Sequence, residues 1–289
     1  MIIVHLKGGL GNQLFQISAA FSLGKRLGQK VCFDDGFFRH QQLRGLKIDK
    51  LLISNDIIKA KDNSIIIRLY KTRIGNKLLR LFKLNTVPYG RHKLYLVDSS
   101  KRTMKAFFEV KAQDVYLDGY FQEDTYFVNC RNTLLALLKP KYKQDDSYAF
   151  YEKKIISTNS VAIHIRRGDF TSVKSKYHYL LGPEYYQHAI NYLKSKISSP
   201  VFYCFSDDLE WVKNNIFFSG EVVFVALQTE NADIDELFLM ANCKHIITAN
   251  STFSWWAAWL NDNKTSIKIV PKKSYGNPNM IPSSWIRLD

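Results

Sequence analysis

The sequence predicts an α/β fold made of two domains, each built on a parallel β-sheet. A chain of 289 residues exceeds the usual size of a single domain, which is about 100–150 residues. Strand-like apolar runs alternate with helical patterns in both halves, and this alternation is typical of a parallel sheet covered by helices. Polar loops follow several of these strands, where α/β folds carry their functional groups.

The opening residues predict a strand, a glycine loop, a helix and a second strand. The run IIVHL predicts a buried strand, and Gly8-Gly9-Leu10-Gly11 follows it. Apolar residues then recur at helical spacing, at Leu14, Ile17, Phe21 and Leu27. A second short strand, Val31 to Phe33, ends at Asp34 and Asp35. This order is a βαβ unit, so the two strands are expected to pair in parallel.

The second half repeats the alternation. Five strand-like runs occur after residue 160, namely VAIHI, VFYCF, VVFVAL, HIITA and IKIV. Helical patterns separate them, as at Pro183–Lys196 and Ala232–Asn242. The polar, proline-containing segment Leu138–Ser147 breaks any helix between the halves. The predicted domains are therefore residues 1–145 and 146–289.

The charge of the chain predicts an anionic partner. The formal net charge is +15, and 12 Lys or Arg lie between Arg68 and Lys111 against only two acids, Asp98 and Glu109. Within this region Ile65–Leu84 has a basic amphipathic pattern with few aromatic residues for base stacking. The segment therefore favours a peripheral contact with an anionic inner membrane over nucleic acid, and a basic membrane-surface binding module is one alternative function.

Cysteine spacing and hydropathy predict a cytoplasmic protein, peripheral at most on the inner face of the membrane. The four cysteines lie far apart without a CxxC pair, which predicts reduced thiols and no zinc site. The apolar run at the start is too short for a signal peptide, and no stretch reaches the roughly 18 apolar residues of a membrane span.

The glycine loop at the start of the first helix predicts an anion site, because its backbone N–H groups lie where the helix dipole favours negative charge. The residues of this loop that are assigned to the anion are Gly9, Gly11 and Asn12. A dinucleotide fingerprint needs a glycine where this chain has Leu14, but Asp34 and Asp35 stand where such folds grip a ribose. An NAD-dependent oxidoreductase therefore stays an alternative, as does a plain tight turn.

The run His164-Ile165-Arg166-Arg167-Gly168-Asp169 follows directly from a predicted buried strand. Side chains there emerge at the carboxyl end of the sheet, where α/β proteins bind ligands. Strand alternation puts His164 and Arg166 on one face, while Arg167 and Asp169 lie at the strand end. A guanidinium grips two phosphate oxygens and stabilises a departing diphosphate. The alternative is that these arginines pair with acids to hold the domain interface.

Two acidic motifs carry weaker signals. Ser206-Asp207-Asp208 ends another strand, and helix capping explains it as well as ligand binding does. Asp233-Ile234-Asp235 has the spacing of a metal motif, but it lies in a helical pattern, where residues two apart diverge by about 200°. We therefore expect no metal site here.

The run Asn250-Ser251-Thr252-Phe253-Ser254-Trp255-Trp256 comes directly after the strand HIITA and opens a helix that extends to about Leu260. A hydroxyl of Ser251 or Thr252 is expected to cap the helix, while the free N–H groups of its first turn bind phosphate. The alternative is an ordinary capped helix with a buried tryptophan pair.

Four motifs together resemble the bacterial branch of the α-1,2-fucosyltransferases, glycosyltransferase family 11. They are GGLGNQLFQ, GYFQ at 119–122, HIRRGD at 164–169 and NSTFSWWAAWL at 250–260, in the order of that family. The resemblance implies a GT-B fold, with two Rossmann-like domains facing across a cleft, the first on the acceptor side and the second binding the donor. It also implies inverting transfer of fucose from GDP-fucose to the 2-hydroxyl of a terminal β-galactoside, without a metal or other cofactor.

The same resemblance assigns roles to individual residues. Arg166 or Arg167 would hold the β-phosphate, and the diphosphate site would be lined by His164, Asn250, Ser251 and Thr252. Asp235 would sit where more distant fucosyltransferases hold guanine, and a carboxylate suits guanine N1 and N2. The general base for the acceptor proton stays open between Asp169 and His5.

Overall fold

The computed structural model describes residues 1–40, 45–60, 86–89, 92–98, 103–111, 114–168, 180–272 and 277–289. The chain divides into two compact units, Met1–Lys141 and Tyr142–Asp289, here called unit 1 and unit 2. The division falls inside the polar segment that suggested a boundary, between Lys141 and Tyr142 rather than after residue 145. An acceptor role for the first unit and a donor role for the second stay predictions.

Unit 1 is a six-stranded sheet with helices. Its elements are β1 (Ile2–His5), α1 (Leu10–Leu27), β2 (Val31–Asp34), β3 (Ile57–Lys59), β4 (Thr86–Tyr89), β5 (His92–Asp98), α2 (Thr103–Glu109), β6 (Val115–Asp118) and α3 (Arg131–Leu137). The strand order is β3-β2-β1-β6-β5-β4, and only the β4–β5 pair is antiparallel. The parallel register of Ile2 with Val31 confirms the predicted βαβ opening.

Helix α1 packs closely on this sheet. The apolar positions that predicted it, such as Leu14 and Ile17, are buried. A Cβ at Gly24 would lie 2.6 Å from Cγ2 of Val31, so the bare backbone permits the close approach of helix and strand. The helix ends at Gly28, whose left-handed conformation (φ 64°) is the usual one for this cap.

Unit 2 is an all-parallel doubly wound sheet. Its elements are α4 (Asp146–Ser157), β7 (Ser160–Ile165), α5 (Pro183–Lys194), β8 (Val201–Ser206), α6 (Leu209–Asn215), β9 (Val222–Phe224), α7 (Ala232–Asn242), β10 (His245–Ile247), α8 (Thr252–Leu260), β11 (Lys268–Pro271) and β12 (Ile286–Leu288). The strand order is β12-β11-β10-β7-β8-β9. The five predicted strands are confirmed, and the short strand β12 is an addition.

The strand order of unit 2 creates a switch point between β7 and β10. The chain continues from β7 through β8 and β9 on one side, and from β10 through β11 and β12 on the other. In open α/β sheets the connections leave in opposite directions at such a point, which opens a crevice at the carboxyl ends of the two strands. In unit 1 the strand order places β6, the last strand along the chain, beside β1.

The predicted membrane contact rests on a segment, Ile65–Leu84, that lies outside the described residues. In the part of the chain that the structure describes, every helix is too short or too polar to cross a membrane. A peripheral membrane contact therefore stays a prediction.

Candidate active site

The switch point of unit 2 brings together the arginine motif and the Asn250–Trp256 motif, which lie far apart in sequence. Ile163 of β7 pairs in register with Ile247 of β10, so the residues that follow them lie side by side towards the carboxyl ends of the two strands. The ring of His164 lies 5.5 Å from that of Phe253, in the first turn of α8. The two motifs therefore meet at the sheet edge where α/β ligands bind.

Two buried polar atoms at this edge lack a hydrogen-bond partner among the described residues. They are Nδ1 of His164 and Oγ1 of Thr248. Each residue lies one position beyond the registered pair Ile163–Ile247, and His164 is only 5% exposed. A buried polar atom left without a partner costs about 1–3 kcal/mol. A polar ligand bound at the switch point could supply hydrogen bonds to these two atoms.

His164 is uncharged in this setting. Burial, followed by the positive charge of Arg166, lowers its pKa to about 3, and the opposing effect of Asp207 is smaller. At neutral pH the imidazole therefore offers one N–H donor and one acceptor nitrogen rather than a positive charge. Its contribution to a diphosphate site would be hydrogen bonding, while the arginines supply the charge.

The two arginines pair with acids that follow β8. Nη1 of Arg166 lies 2.9 Å from Oδ2 of Asp207. Nε of Arg167 lies 3.3 Å from Oδ2 of Asp208, and the backbone N–H of Arg167 donates to Asp207 Oδ1 at 2.8 Å. These four residues all belong to unit 2, so the pairs join two neighbouring strand ends within that unit.

Helix α8 begins as predicted. Ser251 is its N-cap and accepts a hydrogen bond from the N–H of Phe253 at 3.3 Å. The first turn carries no acidic residue, so its positive end is not neutralised locally. By contrast, Trp255 and Trp256 are fully buried. The motif thus divides into a polar start at the sheet edge, which contains Asn250, Ser251 and Thr252, and a structural end.

Asp235 lies inside unit 2 rather than open at the sheet edge. It is 1% exposed. Its carboxylate accepts hydrogen bonds from the Tyr142 hydroxyl at 2.8 Å, Thr229 Oγ1 at 2.8 Å and Gln144 Nε2 at 3.4 Å. Guanine recognition by Asp235 stays a prediction, and it would require the Tyr142 or Gln144 bond to be exchanged for one from the base. Among the described residues no cluster of three potential metal ligands occurs.

Glu236, which the sequence did not single out, carries the largest carboxyl perturbation of unit 2 among the described residues. Burial, then the negative charges of Asp233, Asp207 and Asp235, raises its pKa to about 7 from 4.5. The folded chain therefore holds a proton on Glu236 that the unfolded chain releases at lower pH. The contribution of the Glu236 carboxyl to the free energy of unfolding is fully present below about pH 4.5 and is lost as the pH rises through 7.

Replacing Glu236 by glutamine should therefore stabilise the protein at pH 8 by about 2 kcal/mol and leave its stability at pH 4.5 nearly unchanged. Thermal melts from pH 4.5 to 8 measure the effect. The control is Glu210→Gln, which removes an exposed carboxyl. If the difference in melting temperature between wild type and Glu236→Gln is the same at every pH in this range, the assignment is contradicted.

Unit 1 gathers a second polar cluster where the carboxyl ends of β1 and β6 meet. Nδ1 of His5, the last residue of β1, lies 3.1 Å from Oδ1 of Asp118, the last residue of β6. The ammonium group of Lys7 lies 2.7 Å from the same oxygen. Burial alone would raise the pKa of Asp118, but the hydrogen bond from His5 and the charge of Lys7 outweigh it and hold that pKa well below its usual range. The other predicted base, Asp169, lies outside the described residues.

The glycine loop and the GYFQ motif meet in unit 1. The Gln122 side chain donates to Oδ1 of Asn12 at 2.9 Å. Phe121, just before it, has a left-handed backbone (φ 48°), which is strained for a residue with a side chain. Gly9 is the N-cap of α1 and adds no side-chain cap, and Gly11 is buried in the first turn. No side chain of the N-cap residue therefore bonds the backbone N–H groups of the first turn of α1, and an anion site requires such N–H groups.

The residues on which the oxidoreductase alternative rests are engaged within unit 1. Asp34 accepts hydrogen bonds from the Tyr116 hydroxyl at 2.7 Å and the N–H of Gly36 at 2.9 Å. Asp35 pairs with Lys59 and Arg39.

Comparison with known sequences decides between the alternatives. The family model of Glycosyl transferase family 11 matches residues 1–285. The chain belongs to glycosyltransferase family 11. It is therefore an enzyme, and the alternatives of an NAD-dependent oxidoreductase and of a purely membrane-binding module are wrong.

Relatives are similar over the whole chain. An α-1,2-colitosyltransferase of Escherichia coli is 31% identical over 301 residues, covering 100% of this chain and 99% of the relative. The O-antigen biosynthesis glycosyltransferase WbnK of Escherichia coli is also 31% identical, covering 98% and 99%. Galactoside α-(1,2)-fucosyltransferase 2 of Hylobates lar is 33% identical, covering 92% of this chain and 70% of its own length.

Solved structures share the fold at low sequence identity. FUT1 of Arabidopsis thaliana, in complex with GDP, has a TM-score of 0.55 at 10% identity and covers 96% of this family 11 chain and 71% of its own. The fucosyltransferase NodZ from Bradyrhizobium has a TM-score of 0.53 at 12% identity, with coverage of 89% and 92%. With the two mainly parallel sheets, these likenesses confirm the predicted α/β fold class of the GT-B type.

Proposed function

We propose that this family 11 enzyme transfers L-fucose from GDP-fucose to the 2-hydroxyl of a terminal β-galactoside, with inversion at the anomeric carbon. The observation that carries the proposal is the contact of His164 with Phe253, which joins the arginine motif to the positive end of α8. Support for the linkage comes from two relatives that are named as α-1,2 transferases, one for colitose and one for fucose.

In the proposed donor site the diphosphate lies at the switch point of unit 2. The arginines supply charge, and the N–H groups of the first turn of α8 supply hydrogen bonds. The residues assigned to it are His164, Arg166, Arg167, Asn250, Ser251 and Thr252. Two guanidinium groups and a helix end stabilise the charge of departing GDP, so we propose that no metal is required.

The transfer itself forms one bond and breaks another. The acceptor oxygen bonds to the anomeric carbon, and the bond from that carbon to the β-phosphate oxygen breaks and leaves its electron pair on GDP. The acceptor proton must pass to a base. We assign it to Nε2 of His5, because Asp118 holds Nδ1 at 3.1 Å and no described residue bonds Nε2. The carboxylate of Asp118 stabilises the imidazolium that results.

The variant His5→Gln should lower kcat by about 100-fold and leave GDP affinity unchanged, because the amide cannot accept the proton. Steady-state kinetics and GDP titration measure the two quantities. The matched control is His188→Gln, because His188 is exposed and its Nδ1 bonds the backbone oxygen of Asp289 at 2.9 Å. Full turnover of His5→Gln would move the assignment to Asp169.

The identities of the donor and the acceptor are tested with a panel of nucleotide sugars and glycans. Purified enzyme is incubated with GDP-fucose or GDP-colitose, each with lactose, N-acetyllactosamine and other β-galactosides, and GDP release and product linkage are measured. Colitose is the 3-deoxy form of fucose, so both donors leave the same diphosphate. We expect α-1,2-fucosylated product. Turnover of GDP-colitose alone would overturn the fucose assignment, and no release from either donor would overturn the proposed reaction.

We also propose that the acceptor is a growing O-antigen glycan carried on lipid at the inner membrane face. One relative is named for O-antigen biosynthesis, and the basic segment Ile65–Leu84 suits an anionic surface. Cosedimentation with phosphatidylglycerol vesicles at low salt tests the contact. Recovery of all the enzyme in the supernatant would remove the membrane proposal and leave the catalytic one in place.

A further inference from the structure

The guanidinium group of Arg167 lies over the indole ring of Trp211. The guanidinium carbon is 3.8 Å from the ring centroid, well inside the distance of about 6 Å at which a cation and an aromatic face attract each other. Only 16% of the Arg167 side chain is exposed, so solvent screens this attraction little. Trp211 is the third residue of α6, the helix that follows the Ser206-Asp207-Asp208 motif.

Asp208 ties the same arginine to the same helix. Its Oδ1 accepts the backbone N–H of Trp211 at 3.1 Å, which caps α6. Its other oxygen, Oδ2, receives Nε of Arg167 at 3.3 Å. The carboxylate of Asp208 thus contacts both the first turn of α6 and the Nε end of the Arg167 guanidinium. The Ser206-Asp207-Asp208 motif, which capping explains as well as ligand binding does, therefore caps a helix and also contacts the arginine.

These two contacts leave the terminal nitrogens of Arg167 available. The guanidinium carbon lies against the ring of Trp211, and Asp208 accepts the hydrogen bond from Nε. No described residue forms a hydrogen bond with Nη1 or Nη2. These two nitrogens are one side of the fork that binds two phosphate oxygens at once.

We propose that Trp211 and Asp208 are positioning residues that hold the Arg167 guanidinium ready to bind the diphosphate of the nucleotide donor. The inference rests on the proposed function, because it concerns the same diphosphate site. An arginine that is already held in one geometry loses less conformational entropy when the ligand binds. The diphosphate and the departing charge then meet a preorganised group.

A purely structural role for Trp211 is the alternative that the experiment must separate, because Trp211 also packs against the core of unit 2. The variant Trp211→Leu keeps an apolar side chain but removes the aromatic face, and Trp211→Phe keeps a face. By calorimetric titration of GDP we expect roughly tenfold weaker binding for Trp211→Leu and a change of less than about threefold for Trp211→Phe.

The matched control is Phe224→Leu. Phe224 also packs against the core of unit 2 and carries a cation on its ring, with Nζ of Lys213 at 5.2 Å from the centroid. This variant removes a similar contact outside the site, so its GDP affinity should equal that of wild type. A loss of affinity as large as that of Trp211→Leu would indicate a general packing effect and overturn the inference.

A double-variant cycle shows whether Trp211 acts through Arg167. In an Arg167→Ala background the change Trp211→Leu should weaken GDP binding by less than about twofold, because the group that it positions is gone. The same tenfold loss in both backgrounds would overturn the inference. If Trp211→Leu fails to fold, Asp208→Asn replaces it in the cycle. Its amide oxygen can still cap α6, but the negative charge that faces Nε of Arg167 is lost, and we expect the same dependence on Arg167.

Failure of this inference and failure of the proposed function give different results. Wild-type protein that binds no GDP would overturn both. Wild-type protein that binds GDP, with Trp211→Leu binding equally well, would overturn only the positioning role.

Discussion

Replacing Arg167 by alanine is expected to reduce transferase turnover by about 1,000-fold, while unit 2 stays folded. In the proposed reaction the leaving diphosphate gains negative charge as the sugar bond breaks, and Arg167 presents two nitrogens to it. Removal of one preorganised group of this kind costs about 10²–10³ in kcat in other enzymes. Release of GDP from the donor measures the loss.

Two further variants make this result specific. Arg167→Lys keeps the charge but not the planar fork, so its turnover should lie between those of alanine and arginine. Arg287→Ala is the matched control, because Arg287 lies on β12 and donates to the backbone oxygen of Ile281 at 3.1 Å. Arg167→Ala turnover within threefold of wild type would show that the arginine does not stabilise the leaving group.

Replacing Trp255 by alanine is expected to lower the free energy of unfolding of unit 2 by about 3–5 kcal/mol. Trp255 is fully buried, and its Nε1 donates to the backbone oxygen of Met280 at 2.8 Å. Its ring contacts those of Trp256 and Trp285. The substitution leaves a cavity and an unpaired buried carbonyl, and the two costs act together.

Intrinsic fluorescence measures this loss in unit 2 alone, because all five tryptophans lie between Trp211 and Trp285. Urea unfolding of Trp255→Ala is compared with that of Phe217→Ala. Phe217 is 71% exposed, so its removal should change stability by less than about 0.5 kcal/mol. An unchanged midpoint for Trp255→Ala would mean that the tryptophan end of the motif is not the packing element described above.

Local pattern was sufficient for the secondary structure of the second half. Helix Ala232–Asn242 has the predicted limits, and the predicted strands of that half are all present. Apolar periodicity reports whether a segment is buried on one face or on both, and this depends on the segment itself. Strand β12 was missed because three residues, Ile286–Leu288, are too few to show a period.

The candidate site was only partly visible in the sequence. The motifs at His164 and Ser251 were recognised because each follows a buried strand and carries phosphate-binding groups. The sequence did not single out Trp211 or Asp118, since a tryptophan in a helix and a single aspartate at the end of a strand have no chemical signature of their own. Their proposed roles depend on the residues that they contact, Arg167 and His5.

By itself the sequence determined the fold class, the family and the two strand-end motifs, because burial patterns and short motifs are properties of neighbouring residues. The tertiary structure alone decided that β7 and β10 are adjacent, that Arg167 rests on Trp211 and that the Asp235 carboxylate is already bonded inside unit 2. Those facts depend on strand order and on contacts between residues 40 or more positions apart, such as Arg167 with Asp207. Packing of the whole chain, and no local preference, selects such contacts.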